Sequence, residues 1–228
     1  MSTPVILFIN LSKAKCLEVY PVVKTNADRH FRIAKILSES KEHANAVSHL
    51  ILGTEELIKA LALFMEGKGF NFSTMPDYKK IFFNHSARHS VLKEFFSVWI
   101  FCKSLVELKK KKTSENSFLY GLRMVAEVLG AGVEGVTNYV WWNEADRLKQ
   151  NGFYVDYKNG MISPESIDEI DYSKALKITT AFRKDIRVFI SALSAANEKD
   201  LKGLRSNFET TDIKNLIAEG IARSQQKK

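Results

Sequence analysis

"HANAVSHLILGTEELIKALALF" runs from His43 to Phe64. Val47, Leu50, Ile51, Leu57, Leu61 and Phe64 recur at spacings that place them on one apolar stripe of an α-helix. Glu55 and Lys59 stand four apart, and Glu56 and Lys59 stand three apart. On an exposed face either pair would contribute only about 0.2–0.5 kcal/mol. Glu56 and Lys59, however, lie close in angle to Leu52 and Leu63, so they border the stripe rather than oppose it. Charges at the edge of a core are paired or serve a purpose.

The same period continues on both sides. From about Ser12 to Ser38, Ala27, Phe31, Ala34 and Leu37 share a stripe, and Pro21 is expected to start or kink that helix. The second helix is expected to begin near Ser40 and stop at "EGKG", where Gly67 and Gly69 can take positive φ. A loop follows, and Pro76 suits the start of a third helix. That helix carries "FFNHSARHSVLKEFF", Phe82–Phe96, and continues to the lysine run Lys109–Lys112, where cations favour a helix C-terminus. Two more helices are read between Ser114, which with Ser117 offers an N-cap region, and the end of "ADRLKQ", broken near Gly130–Gly132. Trp141 and Trp142 are adjacent, so only one is expected to face the core squarely.

The period then changes. "GFYVDYKNGMISP", from Gly152, alternates Phe153, Val155 and Tyr157 and contains Asn159–Gly160. It reads as a hairpin-like excursion near 151–164. A long helix from about Ser173 to Ala196 and one or two short C-terminal helices complete the pattern. The expected fold class is all-α, a helical bundle with that excursion. Residues 1–197 would form the helical domain and 198–228 a C-terminal extension.

The 228 residues carry 34 lysines and arginines against 26 acidic residues, a net charge of +8 and a pI near 9.3. That surplus favours an anionic partner, with nucleic acid ahead of a membrane surface. No zinc-finger, RNP or KH pattern, P-loop or GxGxxG occurs. Cys16 and Cys102 fit reduced, buried thiols better than a disulfide framework. The apolar patch Val5–Ile9 is too short for a span or a signal peptide. A cytoplasmic location and no membrane partner are therefore expected.

His85, Arg88 and His89 share one helical face by i, i+3 and i, i+4 spacing. A histidine moves protons near neutral pH, and an arginine can fork onto phosphate. Together they are a minimal kit for metal-free RNA cleavage: one group activates the ribose 2′-hydroxyl, another protonates the leaving oxygen, and a cation stabilises the phosphorane. A zinc site from His85 and His89 with Glu56 is the weaker reading, because HExxH is absent. No metal and no cofactor are expected. A plain polar helix face is the bland alternative.

Four segments in order carry a resemblance: "NADRHFRIAKIL" from Asn26, "HANAVSHLILGTEELIKAL" from His43, "NHSARH" from Asn84 and "GFYVDYKNGMISP" from Gly152. They resemble the AbiV family of abortive-infection proteins, over roughly residues 16–165, and through it the HEPN superfamily. The resemblance implies an all-helical, homodimeric protein of bacterial phage defence, a metal-independent endoribonuclease or translation-blocking toxin. Its expected partners are a second copy, RNA or the ribosome, and a phage-encoded activator. It implies a site of Glu55, Glu56, Lys59, His85 and Arg88, with Arg88 where lysine is common. His89 joins on chemistry, and Glu55 and His43 are taken as residues that bind phosphate or RNA or orient the site. The sequence departs from the superfamily in one respect: no arginine is followed by histidine four to six residues later. The alternative is a non-catalytic helical protein that binds RNA, the ribosome or a phage protein, its polar cluster purely structural. A small-ligand sensor ranks behind both.

Overall fold

A computed structural model describes residues 7–74, 78–85, 87–88 and 141–210. It is all-α apart from one two-stranded hairpin among these residues. Helix α1 spans Lys13–Glu39, and the Ser12 side chain caps it by accepting a hydrogen bond from the Lys15 amide. Pro21 lies inside α1 rather than at its start, leaving one carbonyl of the preceding turn without its amide donor. Ala27, Phe31 and Ala34 are buried as the stripe required, and Leu37 is half-buried.

Ser40, Lys41 and Glu42 connect α1 to helix α2, His43–Gly67, with Lys41 in the left-handed region at φ 64°. Helix α2 is the centre of the molecule. It packs along α1 and against helix α5, Glu169–Ala195, and is buried on most sides. Every apolar residue of its expected stripe is buried. Gly69 takes φ 82° past the helix end. Gly67 is still helical and serves a different need: a Cβ there would stand 2.6 Å from Leu17 Cγ on α1.

Helix α3 is only Lys80–Phe83. Asn84 is extended, and its side chain accepts from the Ala87 amide, so it caps a new helical turn that opens at His85. The continuous third helix expected from Pro76 is thus interrupted at Asn84. Its continuation beyond Arg88, His89, the Lys109–Lys112 run, Cys102 and the Gly130–Gly132 break lie outside the described residues.

Helix α4 is described over 141–153. Trp141 and Trp142 are both buried, edge to face with ring centroids 4.7 Å apart, contrary to the expectation that only one faces the core. Gly152 is not a turn boundary. It lies in α4, where its missing Cβ lets α4 close on α2: an added Cβ would meet Ser48 Oγ at 2.1 Å and the Ala44 carbonyl oxygen at 2.6 Å. Ser48 Oγ donates to the Lys149 carbonyl at 2.9 Å across the same contact. Gly152→Ala is expected to destabilise the protein by about 1–3 kcal/mol, because backbone must move to admit the methyl. A denaturant midpoint unchanged by the substitution would contradict this packing.

The hairpin pairs β1, Asp156–Tyr157, with β2, Met161–Ile162, antiparallel, with Asp156 opposite Ile162. Asn159 turns it at φ 58°. Helix α5 begins earlier than its apolar period indicates, because Asp168 and Asp171 form a capping box at its start. Helix α6, Glu198–Thr210, seats on the end of α2 through buried Leu201 and a bond from Arg205 Nε to the Lys68 carbonyl, 2.7 Å. Among the described residues no helix is long and apolar enough to cross a membrane.

Candidate active site

Glu55 sits midway along α2 with a side chain only 2 % exposed. A carboxylate this deep requires compensation, and among the described residues three side chains supply it. Lys149 Nζ, from α4, lies 2.9 Å from Oε1. Arg88 Nη2, from the turn after Asn84, lies 3.2 Å from Oε2. His85 Nδ1, one turn before Arg88, lies 2.5 Å from Oε2. Asp146, one turn before Lys149, approaches the same ammonium at 2.9 Å. Among the described residues, two carboxylates thus face one guanidinium and one ammonium, with the imidazole beside them.

The ring nitrogen Nδ1 also lies 2.7 Å from Arg88 Nη2. It holds either a proton or a lone pair and cannot serve both neighbours. Glu55, between the guanidinium of Arg88 and the ammonium of Lys149, is the acceptor of this cluster, so Nδ1–H is assigned as the donor to it. Arg88 Nη2 then donates to the carboxylate as well. The remaining ring nitrogen, Nε2, makes no hydrogen bond to any described residue, and the His85 side chain is 47 % exposed. The result is a half-exposed imidazole held at Nδ1 by a buried carboxylate.

Arg88 does not stand ready to clamp a phosphate. Its side chain is 5 % exposed, and Nη1 donates to the carbonyls of Ile81 and Phe82 at 3.1 and 3.2 Å. These are end carbonyls of α3, which a cation satisfies well. Arg88 positions α3 and His85 against Glu55. The sequence reading took Glu56 with Lys59 as the pair that orients the histidine and Glu55 as a binding or orienting residue; the structure puts Glu55 against the imidazole. Glu56 and Lys59 pair with each other, half-buried, further round the helix. His43 begins α2 twelve residues before Glu55, about 18 Å along the axis, and faces Tyr172. It does not join the cluster. His89 lies outside the described residues.

Lys149 and Asp146 are the members that sequence reasoning missed. A signal was present: Trp142, Ala145, Lys149 and Gly152 recur at three, four and three, a buried stripe that contains a lysine. Such a residue needs a buried anion, and Glu55 is that anion.

A family model described as AbiV, within the HEPN group, matches residues 15–184, well over half of the chain. The chain belongs to the AbiV family. AbiV proteins are abortive-infection proteins, so its role lies in defence against phage, and its all-helical fold is HEPN-like. Neither the search of curated proteins nor that of solved structures returned a match. The matched region contains every described element of the Glu55 cluster, from α1 through α4 to most of α5.

A second polar pair lies one face away. His30 on α1 and His49 on α2 approach through their Nδ1 atoms at 3.0 Å. Burial lowers the pKa of both below the ordinary 6.5. For His30 the carboxylates of Glu56 and Glu55 act against burial, while Arg29 and Lys59 act with it; for His49, His30 and Arg29 add to it. The folded state therefore disfavours the charged rings. Below the unfolded value of 6.5 the unfolded chain binds more protons, so stability is full above that pH and falls as the solution is acidified through it. The Tm of wild type is expected to drop between about pH 7.5 and pH 5.5, and that of His49→Gln to drop less. Parallel curves would show that this pair does not titrate on unfolding.

Proposed function

We propose that this AbiV protein is a metal-independent endoribonuclease of phage defence in which His85 moves the proton. The observation that carries the proposal is the Glu55–His85 pair: a buried carboxylate lies 2.5 Å from Nδ1 of an imidazole whose side chain is half-exposed. That geometry suits a general base toward a ribose 2′-hydroxyl. Nε2 takes the hydroxyl proton as the 2′-oxygen attacks phosphorus, the bond to the 5′-oxygen breaks, and a second acid protonates that oxygen. The products are a 2′,3′-cyclic phosphate and a free 5′-hydroxyl. In a HEPN-like dimer two such imidazoles would meet at the two-fold axis, one as base and one as acid. The net charge of +8 supports an anionic substrate.

The test is direct. Purified protein is incubated with total bacterial RNA and a chelator, with and without candidate phage proteins. Fragments with cyclic-phosphate ends support the proposal. Intact RNA in every arm, with translation in an extract also unaffected, overturns it. A binding-only role has one observation in its favour, since Arg88 and Lys149 are buried and act structurally. Binding of RNA or ribosomes without cleavage, at equal strength in the His85→Ala variant, would select that reading.

A further inference from the structure

The His30–His49 pair is absorbed neither by the Glu55 cluster nor by the proton chemistry proposed for His85. Its two Nδ1 atoms face each other across α1 and α2 at 3.0 Å. A metal with nitrogen bonds of about 2.0–2.1 Å holds two neighbouring imidazole nitrogens about 2.9 Å apart at a right angle, and about 3.3 Å apart at a tetrahedral one. The observed separation falls in that interval. We propose that His30 and His49 form a two-imidazole site for a late transition-metal dication, which clamps α1 to α2.

The site is built in advance. The two helices run close together beside it: a Cβ on Gly53 would stand 3.2 Å from both the Ala27 carbonyl oxygen and His30 Cβ. The His49 ring is braced edge-on by Phe153, with centroids 5.9 Å apart. Both rings are half-buried, so an ion can still enter from solvent. The rings also favour the neutral state, the form that ligates. The carboxylate of Glu56 and, further off, that of Glu55 lie within electrostatic reach of His30. Arg29 and Lys59 oppose a cation, but Lys59 is already bonded to Glu56.

Among the described residues no group of three histidines, cysteines or carboxylates converges. The described residues thus supply two ligands, and water fills positions they leave. Imidazole donors select copper, nickel or zinc over magnesium and calcium. The competing account is a hydrogen bond between two neutral rings of opposite tautomer, which fits the same separation without an ion.

Untagged, full-length protein is titrated with Ni²⁺ and Zn²⁺, with Mg²⁺ as control, by calorimetry and thermal melting. The expected result is one ion per chain and a Tm rise of about 5–10 °C at a hundredfold excess over Kd, with no response to Mg²⁺. His30→Gln and His49→Gln should each abolish the rise, while His43→Gln keeps it. No binding, or a rise retained in His49→Gln, overturns the proposal. If a glutamine variant fails to fold, electron paramagnetic resonance of Cu²⁺ on the wild-type chain decides: coupling to two imidazole nitrogens supports the site, and coupling to one or none refutes it.

Discussion

His85→Ala should lower RNA cleavage by about 10²–10⁴-fold, the usual contribution of a positioned acid–base group, and abolish protection against phage. The fold should survive, because the side chain is 47 % exposed and Glu55 keeps its bonds from Arg88 and Lys149. His85→Asn sharpens the result. An amide can still donate to Glu55 but cannot take up a proton near neutral pH, so it should restore local order without restoring cleavage. The readouts are cleavage of a defined RNA, plaque formation and thermal melting of each variant. Full cleavage by both would remove His85 from the chemistry. Unfolding of the alanine variant, with a folded and active asparagine variant, would make the residue structural.

Glu55→Ala should have the largest effect on stability. It strands Arg88 and Lys149, 5 % and 4 % exposed at the side chain, without a shared counter-charge. Removing one partner of a buried ion pair costs about 3–5 kcal/mol, which for a chain of this size lowers Tm by roughly 6–20 °C. Most of that cost is the desolvation of orphaned cations rather than the loss of favourable bonds. The triple change Glu55→Leu, Arg88→Met, Lys149→Met should therefore recover much of the stability while leaving activity absent. A Glu55→Ala protein that melts with wild type would mean that the buried cluster is not what joins α2, α4 and the His85 turn.

The helical fold was legible because α1, α2 and α5 each run for 25 to 27 residues, long enough for a 3.6-residue period to stand out. The interruptions were less legible. Asn84 reads as an ordinary helix residue until its side chain is seen to cap the next turn. Gly152 reads as a boundary, yet its function is the close approach of α4 to α2. Both are properties of a neighbour in space or of one local conformation, and a hydrophobic pattern encodes neither.

The site was legible in part. The spacing of His85 and Arg88 and the EExxK segment put Glu55, His85 and Arg88 into one candidate site, and the fold brings those three side chains together. The choice between Glu55 and Glu56 did not follow from it. The reading favoured Glu56 for its angle to Leu52 and Leu63, but α2 is covered on several sides and Leu52 is only half-buried. On such a central helix a single stripe does not rank adjacent positions. Lys149, 94 residues from Glu55, needed the fold to bring it there.

The central claim is that Glu55 fixes the tautomer of His85, and nitrogen-15 NMR of the histidine ring tests it most directly. The protein is labelled at histidine, and His85 is assigned by its loss in His85→Asn. At a pH where the ring is neutral, the proton should reside on Nδ1, with Nε2 showing the shift of a bare lone pair. In Glu55→Gln that preference should weaken. A proton on Nε2 in the wild-type protein would contradict the account, because the solvent-facing nitrogen could not then act as the base.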